Sequence, residues 1–423
     1  MNRMLSYIRG LLSQYRGLRR ENYILFFGRL VTGLGSMVYP MLTLIITQKM
    51  GYSAREASVF SVVAGALLLP AGLLGGRLAD RYSKKYIIVL CDLVSVFLYI
   101  LSAFLPLRLT TLVLLTLASG MQAIEQPAYD ALVADITLTK DRERAFSLQY
   151  LGGNIGYVAA PTLAGLLFEK HLWLNFFLSG IAILSSTVLI FFLVKDTSPE
   201  KEDSAESVYQ REGEKAGILK VLRESRPLLL FIAATALFYG AYMQFTFLMP
   251  LDITARQGEA GPVIYGSVTS LNCVICVCFT PLITRLLART AQPRKMLYGI
   301  LLLAAGYGVF LIPAAFIPLY YIAIIFFTLG EIATTITVSP YLTDRVSAAH
   351  RGRISSVSTV LQSLFQSVCL LLSGWLYDRS GSSLLPWCFT LLMLLTSVLL
   401  CLRVIKTDPK RYPLLYKGNK ENT

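Results

Sequence analysis

Four ionisable residues interrupt apolar runs long enough to cross a bilayer: Arg29, Asp92, Glu125 and Glu331. A charge at membrane depth costs roughly 2.5–3.5 kcal/mol on insertion scales, so each of them points to a functional role. With a helical rise of about 1.5 Å per residue, Arg29 lies some 9 Å into the first run, and Glu125 lies roughly 15 Å before the loop residue Asp135. The two runs enter the membrane from opposite faces, so these side chains can reach one depth and either form an ion pair or bracket a substrate. Glu331 sits about twelve residues into its run, roughly 18 Å by the same rise, near the bilayer midplane. The apolar runs of the second half of the chain hold no basic residue to neutralise it. A lone carboxyl in that setting can take up and release a proton near neutral pH, or hold the positive end of a cationic substrate.

The elements that position these groups are helices. Of the 423 residues, 55% are hydrophobic and only 15% charged, and the mean hydropathy is +0.60. A soluble chain would carry about 25% charged residues. This composition excludes a disordered chain, a collagen-like repeat and a small disulfide scaffold. Twelve runs reach the roughly 20 apolar residues that a membrane helix needs. They begin near Tyr23, Ala57, Tyr86, Thr110, Ala145, Leu172, Leu228, Val263, Met296, Leu319, Ile354 and Leu384. The expectation is an all-α membrane protein of twelve transmembrane helices. Its formal charge of +14 lies between those runs, which suits an anionic lipid surface and not nucleic acid.

With the N-terminus inside, 32 of the 39 Lys and Arg residues fall on inner segments and six on outer loops, leaving Arg29 within a span. Basic residues favour the cytoplasmic face, so both termini are expected there. Residues 1–22, with Arg3, Arg9, Arg16, Arg19 and Arg20, read as a basic amphipathic arm on the headgroups. All seven cysteines fall within predicted spans, where no oxidising compartment can pair them. Cys273, Cys276 and Cys278 have no histidine nearby in sequence and read as packing residues, so no metal site is expected.

Residues 197–226 turn polar, from Pro199 through Ser204 onward, and read as a solvated linker between two six-span bundles, 23–196 and 227–405, with a tail at 406–423. The bundles repeat one another. Asp135, Arg142 and Arg144 recur 209 positions later as Asp344, Arg351 and Arg353, as do Gly165, Glu169 and Lys170 as Gly374, Asp378 and Arg379. Arg77, Leu78 and Arg81 recur 208 positions on as Arg285, Leu286 and Arg289. Two parallel six-span repeats around a central pathway are a common plan of secondary transporters.

The loop after the second run reads Gly76-Arg77-Leu78-Ala79-Asp80-Arg81-Tyr82-Ser83-Lys84-Lys85. It resembles the G-x-L-x-D-R-x-G-R/K-R/K signature of the major facilitator superfamily, with Ser83 in place of the second glycine. The fifth run, with Gly156, Pro161 and Gly165, is similar to the Gly-Pro-x-x-Gly-Gly signature of that family's twelve-span drug/proton antiporters; Ala160 and Ala164 stand where glycines are usual. The resemblance implies the major facilitator fold, two pseudo-symmetric six-helix bundles whose first, fourth, seventh and tenth spans line a cavity. It implies a cytoplasmic gate made by Gly76, Asp80, Arg81 and Lys85 with Asp135 and Arg142 as partners, and Asp92 supporting that latch. Arg29, Glu125 and Glu331 would face the cavity, along with Tyr39, Gln122, Asn154, Tyr239, Tyr242 and Gln244. Each of those six can equally be bonding one helix to another.

The reading that follows is a secondary active transporter working by alternating access. It would export small amphipathic or drug-like molecules, with a proton gradient as energy source, Glu331 and Glu125 as proton-coupling candidates, and no cofactor. An importer or facilitator of a small metabolite is the alternative, and a receptor or scaffold the alternative outside transport. An enzyme is not expected: His-Glu-x-x-His, a histidine cluster and Gly-x-x-x-x-Gly-Lys-Ser/Thr are all missing. The expected partners are a small-molecule substrate, protons and the lipid bilayer. A monomer in a bacterial cytoplasmic membrane is expected.

Overall fold

A computed structural model describes residues 15–138, 141–195, 225–312, 316–345 and 348–417. The arm and the linker therefore lie largely outside the described residues, as do residues 418–423 of the tail. All regular structure among the described residues is helical. In chain order the helices are α1 (Arg20–Leu34), α2 (Val38–Leu44), α3 (Ala54–Arg81), α4 (Lys84–Phe104), α5 (Leu109–Asp135), α6 (Arg142–Phe168) and α7 (Leu172–Leu193). After the linker come α8 (Arg226–Tyr242), α9 (Leu248–Gln257), α10 (Gly261–Leu286), α11 (Gln292–Gly308), α12 (Ile317–Arg345), α13 (Ala348–Ser380), α14 (Leu384–Arg411) and α15 (Leu414–Lys417).

Among the described residues, ten stretches are long and apolar enough to cross a membrane. One of them, Arg226–Leu286, runs 61 residues and contains both α8 and α10. Helix α5 is outside the ten; Gln122, Glu125 and Gln126 make it more polar than its neighbours. Two expected runs are interrupted. The first breaks at Gly35–Met37 and ends in a π-helical turn, Ile45–Lys49. The seventh breaks at a 3₁₀ turn, Met243–Phe245. Helix α14 continues past the expected bundle boundary at 405 to Arg411, and Asp408 within this extension is buried.

The described chain forms two compact units, 1–51 with 63–202 and 262–273, and 52–62 with 203–261 and 274–423. These depart from the expected bundles by the first turns of α3 and α10, each of which groups with the other half. In the first unit α1 packs on α6 and α7, and α4 on α5 and α7. In the second, α8 packs on α13 and α14, and α11 on α12 and α14. The same scheme is therefore used twice, as the sequence repeat implies.

Small residues set the closest approaches. A Cβ on Gly156 of α6 would collide with the Leu30 carbonyl of α1, and one on Gly33 would lie 2.5 Å from the Gly153 carbonyl. Backbones of membrane helices come this close only where side chains are absent. Further along α6, a Cβ on Gly165 would lie 2.9 Å from Val263 at the start of α10. Its repeat partner Gly374 makes the same kind of approach in the second unit, to Ala54 and Ser58 of α3. There Asp378 accepts the N–H groups of Ala54 at 3.0 Å and Arg55 at 2.9 Å, meeting donors that a helix start leaves free.

The second unit is knotted where α12 ends. Arg345 and Asp408 are 2.6 Å apart, with side-chain exposures of 2% and 0%. Tyr341 donates to the same carboxylate at 2.8 Å and Tyr416 at 2.5 Å, so α15 is tied to α12 and α14. The Arg345 guanidinium also lies 3.8 Å over the Tyr341 ring.

Two outcomes follow for stability. Asp408→Ala leaves Arg345 buried without its partner and should cost about 3–5 kcal/mol, read as a lower Tm of the detergent-purified protein. Gly156→Ala should prevent α1 and α6 from closing and deplete folded protein, whereas Gly153→Ala, whose Cβ meets open space, should be tolerated. Equal behaviour of the two glycine variants in size-exclusion profiles would refute the packing argument.

Candidate functional site

Helix α5 places its polar residues on one face. Gln122, Glu125, Gln126, Tyr129 and Asp130 follow an i, i+3, i+4, i+7, i+8 spacing, the stripe that a 3.6-residue period aligns. This stripe lines a cavity of about 760 Å³ in the first unit. Its other walls carry Arg29, Ser36 and Tyr39 from the first run, Asp92 and Tyr99 from α4, Asn154 and Tyr157 from α6, and Ser179 and Ser186 from α7.

Arg29 and Glu125 thus share a cavity, but they are not ion-paired. Arg29 instead donates from Nη2 to Gln126 Oε1 at 2.9 Å, and its guanidinium carbon lies 3.7 Å from the Tyr129 ring centroid. Gln126 donates onward to Asp130 Oδ1 at 2.9 Å. The Tyr129 hydroxyl is fixed by donating to the Leu25 carbonyl at 3.1 Å. Asp92 was expected to support the loop after α3. The structure places it on the cavity wall, 5% exposed, where it accepts the Thr187 hydroxyl at 2.7 Å. A helix face decides this: Asp92 points between α5 and α7, which pack on α4, and not toward the loop.

The remaining cavity candidates divide between the units. Tyr39 is 60% exposed and, with Gln122 and Asn154, lines the first unit's cavity; Asn154 also donates to the Tyr150 carbonyl at 2.8 Å. In the second unit Tyr242 donates to Glu331 Oε1 at 2.8 Å, and the Cys276 thiol is 3.8 Å from Oε2. The Tyr239 and Tyr242 rings stand edge to face at 6.1 Å, and Tyr242 stacks on Phe327 at 5.3 Å. Gln244 differs from expectation: it is 0% exposed, and its amide has no hydrogen-bonding partner in the 3₁₀ turn. It is a packed residue of the helix break, not a cavity wall.

Of the gate residues, the side chains of Asp80 and Arg142 lie outside the described residues. Asp135 pairs with Lys84 at 2.7 Å, one position before the expected Lys85, whose ammonium lies 5.4 Å over Phe191. Arg81 is exposed. Gly76 borders open space, and the tight approach belongs to Gly75, where a Cβ would collide with Ile124 of α5. The second unit repeats the Lys84–Asp135 link in neutral form: Gln292, 208 positions after Lys84, donates to Asp344 Oδ2 at 2.7 Å. Of the fifth-run motif, Gly156 faces α1, whereas Pro161 and Gly165 face the first turns of α10. There Thr162 and Ser270 share a 2.7 Å hydrogen bond.

Sequence reading missed Gln126, Tyr129, Asp130 and Thr187. The stripe spacing on α5 was the available signal for the first three; nothing local marks Thr187, which matters only because α7 packs on α4.

Comparison with known proteins agrees with this architecture. Residues 25–368 match the family model described as Major Facilitator Superfamily. The chain is 23% identical over 354 residues to a Na(+), Li(+), K(+)/H(+) antiporter of Planococcus maritimus, covering 77% of this chain and 81% of that one. It is 25% identical over 400 residues to macrolide efflux protein A of Streptococcus pyogenes, covering 88% and 92%. Among solved structures, a peptide transporter, POT, superposes with a TM-score of 0.76 at 15% identity, covering 92% of this chain and 94% of that one. The nucleoside transporter NupG gives 0.70 at 15% identity, covering 92% and 99%.

If Tyr242 holds the Glu331 carboxylate in place, Tyr242→Phe removes one donor and should lower stability by about 1–3 kcal/mol. Thermal unfolding of the two proteins side by side checks this; an unchanged Tm would mean that the bond does not hold α8 to α12.

Proposed function

The chain belongs to the Major Facilitator Superfamily, and from that premise we propose that it is a proton-coupled secondary transporter exporting small amphipathic or drug-like molecules. The observation that carries this reading is the 760 Å³ cavity whose wall gathers Arg29, Asp92 and Glu125 from three membrane helices. A space of that size holds a small organic molecule, and tyrosine rings set among charged and polar side chains suit a ligand with both an apolar body and a polar end. Relatives named for antiport and macrolide efflux support export.

Transport proceeds by alternating access. Both termini lie on the cytoplasmic side, the loop Gly76–Lys85 serves as the latch of the cytoplasmic gate, and one chain suffices, since it holds both units. Glu331, or Glu125 with it, carries the coupling proton. Protonated, such a carboxyl is neutral and crosses the closed state cheaply; ionised, it attracts a cationic substrate. Proton and substrate then compete, which is the simplest form of antiport.

Glu331→Gln imitates the protonated state. Export driven by a proton gradient in everted vesicles should stop while equilibrium exchange persists. Substrate still concentrated against its gradient by the Gln variant would move the coupling role elsewhere, and accumulation only in right-side-out vesicles would establish import instead. Asp80→Asn should weaken transport with membrane insertion intact and shift a cytoplasmic crosslink toward the inward-open form. Full transport with an unchanged crosslink would remove the latch.

A further inference from the structure

Four acidic or basic side chains meet in the first unit's cavity: Arg29 on α1, Asp92 on α4, and Glu125 and Asp130 on α5. One cation thus faces three carboxylates. Asp92 receives only a neutral donor, the Thr187 hydroxyl at 2.7 Å, which orients the carboxylate without balancing its charge. Glu125 takes part in no ion pair among the described residues, although Arg29 and Asp92 lie within its electrostatic reach.

The reason is the engagement of Arg29. Its Nη2 donates to Gln126 Oε1 at 2.9 Å, and Tyr129 supports the guanidinium face from 3.7 Å. Asp130 sets the direction of this contact. By accepting from Gln126 Nε2 at 2.9 Å, its carboxylate turns the amide so that the oxygen, and not the NH2 group, faces Arg29. The opposite amide orientation would put donor against donor.

We infer that the Asp130–Gln126 relay parks Arg29 away from the acids, so that Asp92 and Glu125 stay open to one cationic group, the ammonium or phosphonium end of an amphipathic substrate. The inference rests on the transport reading above and names the charge this cavity takes. Arg29 is a built-in competitor, with the sign of the substrate and proximity to the same acids. The other titratable groups facing Asp92 and Glu125 are Cys91 on α4 and Tyr129 and Asp130 on α5. None of them supplies a positive charge, and α7 offers Thr187 and Ser186. Release of Arg29 is therefore sufficient to close the site.

The test is equilibrium binding of tetraphenylphosphonium to the purified full chain in detergent at pH 8, with no gradient. Asp92→Asn and Glu125→Gln should each weaken binding about tenfold, and Gln126→Ala should weaken it by about as much. Adding Arg29→Gln to Gln126→Ala should restore affinity to within about threefold of the unsubstituted protein, because the competitor is gone. If Gln126 is merely structural, the second change deepens the loss, and that result overturns the inference. So does wild-type affinity in Gln126→Ala, or an unsubstituted chain that binds no better than Asp92→Asn with Glu125→Gln. Proton-driven export with this binding pattern absent refutes only the parking of Arg29. The pattern present without proton-driven export refutes only the coupling.

Discussion

The seat of Arg29 on the Tyr129 ring is the contact on which the first unit turns. A guanidinium at membrane depth is costly unless it finds partners within the protein or faces a cavity, and Arg29 does both. Tyr129 is anchored through its hydroxyl to the Leu25 carbonyl, so α1 and α5 are fixed to one another at the level of the charge. Gly33, Gly152 and Gly156 then bring α6 against the other side of α1. The polar face of α5 is left to line the cavity because the remaining faces are committed to Leu25, Ile88 and their buried neighbours.

The second unit solves the same problem with different chemistry. Its pairing of helices repeats that of the first, yet its carboxylate, Glu331, meets a phenol and a thiol, where the first unit's Asp92 meets a threonine hydroxyl. Its interior is an aromatic stack, with Trp387, Tyr307, Phe310 and Phe327 fully buried. Its own buried arginine, Arg345, is placed where α12 ends, against Asp408. Duplication preserved the backbone plan and let each copy put its charges at a different depth.

Much of this was legible before any coordinates. The all-helical character follows from apolar runs, and the repeat from polar residues at a fixed offset; against the twelve runs expected, ten stretches among the described residues are long and apolar enough to cross a membrane. The charged positions Arg29 and Glu125 were found because a charge in an apolar run stands out. What stayed hidden depends on which way a helix faces. Asp92 reads as support for the loop latch because the third span is peripheral in the fold that the resemblance implies, whereas its direction is set by the packing of α4 on α5 and α7. Gln244 was read as cavity-facing because a polar residue in a span invites that reading; the 3₁₀ turn rotates it inward. Lys84, not Lys85, reaches Asp135, since neighbouring residues on a helix point about 100° apart.

The links at the ends of α5 and α12 carry a consequence for the surrounding lipid. Lys84 holds Asp135 through opposite charges with both side chains partly accessible, while Gln292 holds Asp344 through a neutral amide. An ammonium can trade a carboxylate for the phosphate of an anionic headgroup; an amide has little to gain from that exchange. Of the two links, only the charged one is of a kind that an anionic headgroup can compete for. Two helix pairs built to the same plan thus differ in the exchange open to them, and the asymmetry lies in a single side chain, lysine in one copy and glutamine in the other.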